Sequence, residues 1–518
     1  WHSEIMPDIV VLMWKASGLF GDYTLREVNV FSPVFFFGLS FILFFILVYV
    51  LTNSKFAGVL ACSFLAFTPA YLYRTMAGFS DHEAIGMVGF FAAMLGFALA
   101  LKYMERTDGK NIIGNSIAGG FVGLLTALTI ALWTGVSVFL FMIIPIAFLL
   151  FWILNTRDKN SGLRNSGILF YISWVVFTVL FSVVLGFDAI DIINKFFSSI
   201  SIISIAILGF IILDRLLMFF EDKFGDGWYN VRYRVVYSIL LLVGIGIVVL
   251  PLIGKNFFGL VWEVINRLLN PSWGGSRVGS TVAENAQPYL SNWIGTVGKP
   301  MFALFVAGIL AVAINFSEKI KVLKGKNLMI IGFLLLAFGI LFSRVSSDSI
   351  LNGAGILSLS GLFYLGGLCF FIYAFVKNYS DSLNISSINI FIFAWMFVML
   401  IVGRSTTRLF FVIAPFMCFI AAYLVVSAAR AYRGGVKDEI GKIIVVGILI
   451  ISLFVSGFVI YSSYDSVSAQ AKHTGPSANA QWQGAMEWVR NNTSESAVFS
   501  HWWDYGYWVQ TGFERASV

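Results

Sequence analysis

Long apolar runs follow one another along almost the whole of this 518-residue sequence. A helix needs about 20 consecutive apolar residues to cross the hydrocarbon layer of a bilayer, which is roughly 30 Å thick. Fourteen runs are long enough, and only 12% of all residues are charged, against about 25% in a typical soluble domain. The sequence therefore predicts an all-α polytopic membrane protein with about 13–14 transmembrane helices. The runs lie near 30–51, 56–75, 85–103, 112–132, 134–154, 167–187, 200–219, 235–256, 300–317, 328–343, 351–376, 388–403, 408–427 and 441–463.

Basic residues concentrate in connections that would all lie on one side of the membrane. If residues 1–29 lie outside, 20 of the 34 Lys and Arg residues fall in short cytoplasmic connections, as the positive-inside rule requires. We therefore expect a multi-pass protein of the cell membrane. Residues 1–29 would end a first extracytoplasmic loop, and 30–464 would form the transmembrane domain with a long extracytoplasmic loop at 257–299. Residues 465–518 would begin an extracytoplasmic domain.

The short apolar run 9–13 is predicted to lie at the membrane interface, and a helix is predicted over 479–490. The three cysteines all lie in apolar runs, which indicates neither a disulfide framework nor a metal cluster. No basic stripe is present, so nucleic acid is not an expected partner. The chain starts at Trp1 without a methionine and stops shortly after a dense aromatic cluster. We expect it to be a piece of a longer protein.

Asp81, His82 and Glu83 follow one another in the short loop 78–84, between the second and third runs. An Asp-x-Glu at a membrane surface is most often an ordinary solvated loop. Carboxylates are, however, hard oxygen ligands that suit Mg²⁺ or Mn²⁺, and such a cation would offset the charge of a phosphate. Two carboxylates do not complete an octahedral shell, so a further ligand is expected from another loop. Glu284, in the loop 257–299, is the candidate.

An aromatic cluster surrounds a single aspartate near the end of the chain. Its core is Trp502, Trp503, Asp504, Tyr505 and Gly506. An interfacial aromatic belt is one interpretation. The aspartate and the polar stretch before it favour another, in which flat aromatic walls and a few polar groups recognise a short polar peptide.

Three motifs in this order resemble one enzyme family. RTMAGFSDHE at 74–83, STVAENAQP at 280–288 and WWDYG at 502–506 occur together in a multi-span chain. This is similar to the catalytic subunit of oligosaccharyltransferase, and most similar to its archaeal form, AglB. The resemblance covers nearly the whole chain and implies the GT-C membrane fold, followed by the start of a mixed α/β extracytoplasmic domain. It also implies metal-dependent, inverting transfer of a glycan en bloc from a dolichol or polyprenol (pyro)phosphate donor to the Asn of Asn-X-Ser/Thr acceptors.

The resemblance implies roles for particular residues. Asp81 and Glu83 match the family's metal-binding acidic motif, and Glu284 matches a loop glutamate that reaches the metal and the acceptor amide. All three are candidate catalytic residues and ligands of Mn²⁺ or Mg²⁺. His82 is a further candidate ligand, with a neutral hydrogen-bonding role as the alternative. The motif that contacts the acceptor sequon is matched by Trp502, Trp503, Asp504, Tyr505 and Gly506.

Arg404 and Arg408 lie in the break between the runs 388–403 and 408–427. The pattern Arg-Leu-Phe-Phe-x-x-Ala-Pro resembles the family's arginine before an Ala-Pro helix, so Arg408 is the preferred contact for the lipid phosphate and Arg404 the second. Interfacial snorkelling is the alternative for both. The sequence departs from the resemblance at two places. Six spans are expected to separate Glu284 from Arg408, where the family needs four to its last span, so either two helices are inserted or the runs are miscounted. The family's first catalytic Asp would precede Trp1.

Two other classes of function remain open from the sequence. Another GT-C lipid-linked sugar transferase would share the architecture, but it gives no reason for the WWDYG motif. A transporter would need charges inside the membrane, and the apolar runs contain almost none beyond Asp214 and Arg215. The expected partners are therefore a lipid-linked oligosaccharide donor, secreted or membrane acceptor polypeptides with Asn-X-Ser/Thr, and membrane lipids. The chain is expected to act as a single subunit.

Overall fold

A computed structural model describes residues 5–156, 161–198, 201–224, 234–252, 254–269, 283–353, 357–379, 385–434, 436, 438–475, 478–502 and 505–518. The helices are α1 Ile5–Ser17, α2 Leu25–Thr52, α3 Lys55–Ala66, α4 Pro69–Leu72, α5 His82–Arg106, α6 Ile112–Leu132, α7 Thr134–Asn155, α8 Leu163–Val184, α9 Ala189–Phe196, α10 Ile202–Phe224, α11 Arg234–Leu252, α12 Phe257–Leu269, α13 Leu290–Val297, α14 Lys299–Phe316, α15 Leu323–Leu341, α16 Leu359–Lys377, α17 Ser387–Val402, α18 Phe410–Arg433, α19 Glu439–His473, α20 Ala480–Asn492 and α21 Gly506–Trp508. The two strands are β1 Val498–Phe499 and β2 Ala516–Ser517.

Each predicted transmembrane run contains a helix within its described residues. Within the described residues, 12 helices are long and apolar enough to cross a membrane. The two remaining predicted runs give shorter apolar helices, α3 with 12 residues and α17 with 16. The prediction of an all-α, multi-pass membrane protein is confirmed.

The predicted run 56–75 is two helices and not one. Thr68 separates α3 from α4 and has extended backbone, with φ −81° and ψ 115°. A residue before proline is crowded out of the helical region, and Pro69 then takes the first position of α4. The chain turns again after Leu72, and this second turn leads into the acidic loop.

The first long helix starts earlier than predicted. Thr24 Oγ1 accepts a hydrogen bond from the backbone N–H of Glu27 at 3.2 Å, and Glu27 Oε2 accepts one from the backbone N–H of Thr24 at 2.8 Å. This reciprocal capping box begins α2 at Leu25 rather than at residue 30. The apolar run 9–13 lies inside α1, a 13-residue helix too short to cross a membrane.

The segment 257–299, predicted as a long extracytoplasmic loop, contains two helices in its described part, and neither is long enough to cross a membrane. Helix α12 has apolar residues at helical spacing, a pattern of an amphipathic helix that is too short to cross the bilayer. Helix α13 begins after Tyr289, whose backbone N–H donates to Asn292 Oδ1 at 2.8 Å. A single 3₁₀ turn, Ala283–Asn285, carries Glu284.

Helix α18 is buried along nearly its whole apolar length and packs against α3, α4, α14 and α17. On α14, a Cβ at Gly308 would lie 2.3 Å from the backbone oxygen of Ile420, so only glycine permits this close approach. At the start of α18, the ring of Phe411 stacks on Tyr71 of α4, with 5.0 Å between centroids. This packing places the residues before α18 beside the turn after α4.

The six runs predicted after the Glu284 segment correspond to α14–α19 in the described residues, and the short helix α13 precedes them. Only four of them, α14 to α17, lie between Glu284 and Arg408, so the expectation of six spans between these two residues was wrong. Helices α15 and α16 form an antiparallel pair in which the two backbones are in close contact. A Cβ at Gly367 would lie 2.4 Å from the backbone oxygen of Leu335.

Residues Tyr461–Val518 form a second compact unit with its own small core of Val489, Val509 and Phe513. Strands β1 and β2 pair in parallel, and the predicted helix 479–490 is present as α20. The buried guanidinium of Arg515 donates to the carbonyl oxygens of Arg490 at 2.9 Å and Thr493 at 3.0 Å, which satisfies the end of α20.

Candidate active site

Two arginines and two glutamates from distant parts of the sequence form one ion-paired network. Arg74 Nη1 lies 2.5 Å from Glu83 Oε1, and its Nη2 lies 2.8 Å from Glu284 Oε1. Arg408 Nη2 lies 3.2 Å from the same oxygen of Glu83, and its Nε lies 3.9 Å from Glu284 Oε2. The structure thus brings predicted residues Glu83, Glu284 and Arg408 together, and it adds Arg74.

This network runs from a buried end to an exposed end. The side chains of Glu83 and Arg74 are 1% and 10% exposed, whereas those of Arg408 and Glu284 are 45% and 49% exposed. Charges buried together in a low-dielectric setting need opposite charges as partners. The two buried members form an ion pair with each other, while the exposed members can exchange partners with a ligand.

The acidic loop is fixed by contacts with α2 and by its own helix cap. Gly78 has φ +87°, a conformation that favours glycine, and its N–H donates to the carbonyl oxygen of Val30 at 2.8 Å. Ser80 Oγ donates to the carbonyl oxygen of Asn29 at 2.6 Å. Asp81 then caps α5, accepting a hydrogen bond from the N–H of His82 at 2.7 Å. The loop therefore presents its acidic side chains at the first turn of a long helix.

Asp81, His82 and Glu83 are placed as a compact ligand set. One ligand atom from each lies within 4.8 Å of the other two. Glu83 Oε2 is buried without a hydrogen-bond partner in the described part of the chain, which is costly for a carboxylate oxygen and typical of a ligand site. Glu284 is not a member of this set, because its carboxylate faces Arg74.

His82 has two partners. Its Nδ1 lies 2.6 Å from Asp81 Oδ1, and its ring packs at 5.4 Å from the ring of Trp133, which joins α6 to α7. The hydrogen bond from His82 holds the pKa of the Asp81 carboxyl well below its usual range, although partial burial acts in the opposite direction. Asp81 is therefore a carboxylate at neutral pH, as a metal ligand must be.

The Glu284 segment is held by the turn before α18. Thr407 Oγ1 donates to the carbonyl oxygen of Glu284 at 2.9 Å, and the backbone N–H of Thr407 donates to the carbonyl oxygen of Ala286 at 3.1 Å. The next residue, Arg408, is thereby set beside Glu284. These backbone contacts explain how two loops more than 100 residues apart deliver one site.

Arg404 does not lie in the network. It is 5% exposed and its guanidinium lies 4.4 Å from the ring of Tyr364, over which it stacks. Burial lowers its pKa from the ordinary value. Of the two arginines predicted to contact a lipid phosphate, only Arg408 is half exposed beside the acidic residues.

Arg74 is the residue that the sequence reasoning missed. It belongs to the RTMAGFSDHE motif, yet the motif alone gave it no role. A signal was available, because two carboxylates close to a membrane need a nearby cation unless a metal is present at all times. Arg74 is the basic residue nearest in sequence to Asp81 and Glu83.

The aromatic motif lies in the second unit, and Trp503 and Asp504 lie outside the described residues. Trp502 and Tyr505 are 54% and 43% exposed, and Gly506 begins the short helix α21. The ring of Trp482 lies 5.4 Å from Tyr505 and 4.6 Å from Trp508. The described part of the motif therefore presents an exposed aromatic surface on a packed base.

The fold and these motifs define a class of membrane protein related to oligosaccharyltransferases. Residues 5–266 match the family described as "Oligosaccharyl transferase STT3, N-terminal". The chain belongs to this family.

Several proteins of this kind are similar to the chain. It is 26% identical over 495 residues to the dolichyl-phosphooligosaccharide-protein glycotransferase of Methanocaldococcus jannaschii, covering 88% of this chain and 50% of that protein. It is 23% identical over 518 residues to a glycotransferase of the same name, numbered 1, of Pyrococcus horikoshii, covering 98% and 44%. The chain thus spans about half the length of the curated relatives it matches.

Solved structures share the fold. The archaeal oligosaccharyltransferase AglB of Archaeoglobus fulgidus, in complex with an inhibitory peptide and a dolichol-phosphate, matches with a TM-score of 0.58 and 19% identity, over 98% of this chain and 55% of that one. The Archaeoglobus fulgidus enzyme tethered to an acceptor peptide with an NVT sequon matches with a TM-score of 0.59 and 17% identity, over 98% and 55%. At these identities the likeness establishes the fold.

Proposed function

We propose that the protein to which this chain belongs is an oligosaccharyltransferase catalytic subunit. It would transfer a glycan en bloc from a dolichol or polyprenol (pyro)phosphate donor to the Asn of Asn-X-Ser/Thr acceptors. The observation that carries the proposal is the joining of Glu83, Glu284 and Arg408 in one half-exposed network, because three separate family motifs predict these residues. The names of the relatives support a dolichyl-linked donor.

A divalent cation, Mn²⁺ or Mg²⁺, is the cofactor that we assign to the acidic loop. Asp81 and Glu83 would supply oxygen ligands and His82 a nitrogen ligand, and the unpartnered Glu83 Oε2 supports the assignment. When bound, such a cation stabilises the negative charge that develops on a phosphate leaving group. Glu284 would join the ligands only if its carboxylate left Arg74.

Arg408 would contact the donor phosphate. Its side chain is 45% exposed, and its guanidinium pairs with buried Glu83. A planar guanidinium binds phosphate oxygens through two parallel hydrogen bonds, which lysine does not reproduce. Arg404, buried under Tyr364, would support the turn instead of binding the donor.

The acceptor amide must be activated, since its nitrogen lone pair is delocalised into the carbonyl group. Glu284 is the candidate for this task because it is the exposed carboxylate of the network. By accepting a hydrogen bond from the amide N–H₂, it would orient the nitrogen for in-line attack on the anomeric carbon. A single displacement of this kind inverts the configuration at that carbon.

The WWDYG motif, Trp502, Trp503, Asp504, Tyr505 and Gly506, would recognise the acceptor sequon. Exposed aromatic rings at Trp502 and Tyr505 provide flat walls, and the motif contributes one carboxylate in Asp504. A site that hydrogen-bonds a hydroxyl rejects a ligand that lacks it, because the site's polar groups would be left unpaired. We expect strong preference for Thr or Ser over Ala at this position.

The positions of basic residues support the proposed orientation, with the acidic loops and the C-terminal unit outside the cytoplasm. We further propose that the protein acts as a single subunit. Both statements can be tested together. The full-length protein, purified alone, should transfer glycan to peptides added to the outer side of sealed vesicles.

The decisive experiment is transfer from a lipid-linked glycan to a fluorescent Asn-X-Thr peptide by the full-length protein. Transfer should need Mn²⁺ or Mg²⁺, stop with a chelator and resume when the metal is restored. Glu284→Gln should lower turnover at least about 100-fold, since it removes the carboxylate that orients the nucleophile. An Asn-X-Ala peptide should be a poor acceptor, and equal use of both peptides would refute the recognition role of the aromatic motif. Transfer of single sugars to lipids, without peptide transfer, would instead indicate another GT-C transferase.

A further inference from the structure

The short segment from Glu284 to Leu290 carries a candidate catalytic carboxylate on a chain that has little regular structure. It contains one 3₁₀ turn and then has no regular secondary structure until α13. Such a segment holds a side chain in one place only if its backbone is tied down from outside. Thr407 ties down its first half through the carbonyl oxygens of Glu284 and Ala286.

Arg344 ties down the second half, from three directions. Its Nη1 donates to Gln287 Oε1 at 2.5 Å, and its Nη2 lies 3.4 Å from the carbonyl oxygen of Gln287. Its guanidinium stacks 4.3 Å from the centre of the Tyr289 ring. Its own carbonyl oxygen accepts a hydrogen bond from the N–H of Leu290 at 3.0 Å. One residue thus fixes a side chain, a ring and the backbone.

Arg344 is itself held in a tight connection between α15 and α16. It pairs with Asn352 in an isolated antiparallel bridge, and the N–H of Val345 donates to the carbonyl oxygen of Leu351 at 2.7 Å. Gly353 has φ +84°, and a Cβ there would lie 3.0 Å from Arg344 Cδ. The backbone of Arg344 is therefore held by its own loop as well as by its contact with Leu290.

We propose that Arg344 is a positioning residue for Glu284, which holds the segment Glu284–Leu290 in its working conformation without touching substrate. The inference rests on the proposed function of Glu284 as the carboxylate that orients the acceptor amide. It also gives a task to the α15–α16 pair.

A purely structural role for Arg344 predicts different results from a positioning role. If the residue only tied the α15–α16 connection to the bundle, its loss would lower stability, and activity would fall in proportion to the folded fraction. If it positions Glu284, turnover falls in protein that is fully folded, and donor binding is retained because Arg344 contacts neither Arg408 nor the acidic loop in the described structure.

The test uses the full-length protein with Arg344→Met and Arg344→Lys, and with Arg26→Met as a matched loss of an exposed arginine. Arg344→Met should lower kcat about 10- to 100-fold while Kd for dolichyl phosphate changes less than about twofold. Arg344→Lys should restore part of the rate, since it keeps the charge but not the planar fork. Arg26→Met should behave as the wild type does.

A second variant approaches the same contact from the other side. Gln287→Met removes the partner of Arg344 without altering the α15–α16 connection, and it serves if Arg344→Met does not fold. Its effect on kcat and that of Arg344→Met should not add in the double variant, because both break one interaction. Hydrogen exchange of the peptide covering 284–290 should speed up in both variants.

The outcomes separate the two proposals. If the wild-type protein transfers no glycan, the proposed function fails, and the hydrogen-exchange result alone then decides whether Arg344 holds the segment. If the wild type is active and folded Arg344→Met keeps its kcat, the positioning role is overturned. The same conclusion follows if activity tracks the folded fraction across all variants.

Discussion

Arg74 Nη2 lies 2.8 Å from Glu284 Oε1, although the two residues are 210 positions apart in the sequence. The other Nη atom of the same guanidinium contacts Glu83. Arg74 is thus the bridge between the acidic loop before α5 and the segment before α13. A planar guanidinium can donate hydrogen bonds to two carboxylates at fixed angles. Arg74 therefore sets the distance between Glu83 and Glu284 and also neutralises their charge.

Replacing Arg74 tests this bridge. Arg74→Met should leave the buried Glu83 with Arg408 as its only described ion-pair partner, and losing one partner of a buried pair costs about 3–5 kcal/mol. We expect a lower thermal unfolding midpoint and a loss of glycan transfer of at least about tenfold. Arg74→Lys should recover stability better than turnover, because an ammonium does not span both carboxylates. Fluorescence-detected thermal unfolding and peptide transfer, with Arg26→Met as the control, measure the two effects.

The acidic loop should bind a divalent cation without any donor or acceptor present. Titrating the full-length protein with Mn²⁺ and following its paramagnetic signal should show one site. Glu83→Gln should weaken that site at least about tenfold, because it replaces a charged ligand with a neutral amide. Asp22→Asn changes an exposed carboxylate before α2 and should leave the affinity unaltered. Unchanged Mn²⁺ affinity in Glu83→Gln would remove the metal assignment.

Lys195 offers a pH-dependent prediction. It lies on the short helix α9, outside the membrane-crossing helices, and its Nζ lies 2.9 Å from Ser137 Oγ and 5.8 Å from the centre of the Phe141 ring. Burial lowers the pKa of Lys195 to about 7. Between pH 7 and the ordinary pKa of lysine, this side chain is protonated in the unfolded chain but not in the folded chain. Lys195 therefore makes the stability of the protein rise with pH.

Lys195→Met removes that dependence. The variant should raise the thermal unfolding midpoint most at pH 6 to 7, where the buried ammonium is most costly, and least near pH 10. Thermal unfolding across this range in one detergent gives the comparison. Lys299→Met, a change at an exposed lysine, should shift the midpoint equally little at every pH. If Lys195→Met raised the unfolding midpoint by the same amount at every pH, the lowered pKa of Lys195 would be contradicted.

The sequence predicted most of the fold because apolar run length is a one-dimensional property. Each of the fourteen runs contains a helix within its described residues, since a segment in lipid must satisfy its own backbone hydrogen bonds. The break at Pro69 and helix α12 were missed for the same reason. Run length does not record a proline that divides a helix, and it does not register an amphipathic helix of 13 residues.

The sequence predicted most residues of the candidate site, but it did not predict which of them contact one another. Motifs identified Glu83, Glu284 and Arg408, but no sequence rule states which cation each carboxylate meets. The Arg74 bridge and the Arg344 contact depend on loops that converge only after α4, α13 and α18 have packed. Arg404 shows the converse case. It lies four residues from Arg408 in a similar context, yet it is buried under Tyr364.

A buried ion pair inside the helix bundle provides a last prediction. Asp214 Oδ1 lies 2.9 Å from Arg234 Nε, and both side chains are at most 1% exposed. The other carboxylate oxygen accepts a hydrogen bond from Trp152 Nε1 at 2.8 Å. The intramembrane aspartate noted in the sequence is therefore fully engaged in joining α7, α10 and α11, which favours a structural role over a transport path.

Replacing one partner of this pair should destabilise the protein much more than replacing both partners with apolar residues. Asp214→Asn leaves a buried guanidinium without its charge partner, at a cost of about 3–5 kcal/mol, whereas an apolar pair of similar volume is often tolerated. We therefore expect a strongly lowered unfolding midpoint for Asp214→Asn and substantial recovery in the double variant Asp214→Leu/Arg234→Met. Arg215→Met, one position along α10, loses the hydrogen bonds to Asn165 that Arg215 makes within the described residues, and its effect should be mild. If the double variant were as unstable as the single one, lost packing rather than the unpaired charge would account for the instability. Glycan transfer by the recovered double variant should equal that of the wild type, because the pair contacts none of the residues of the acidic network.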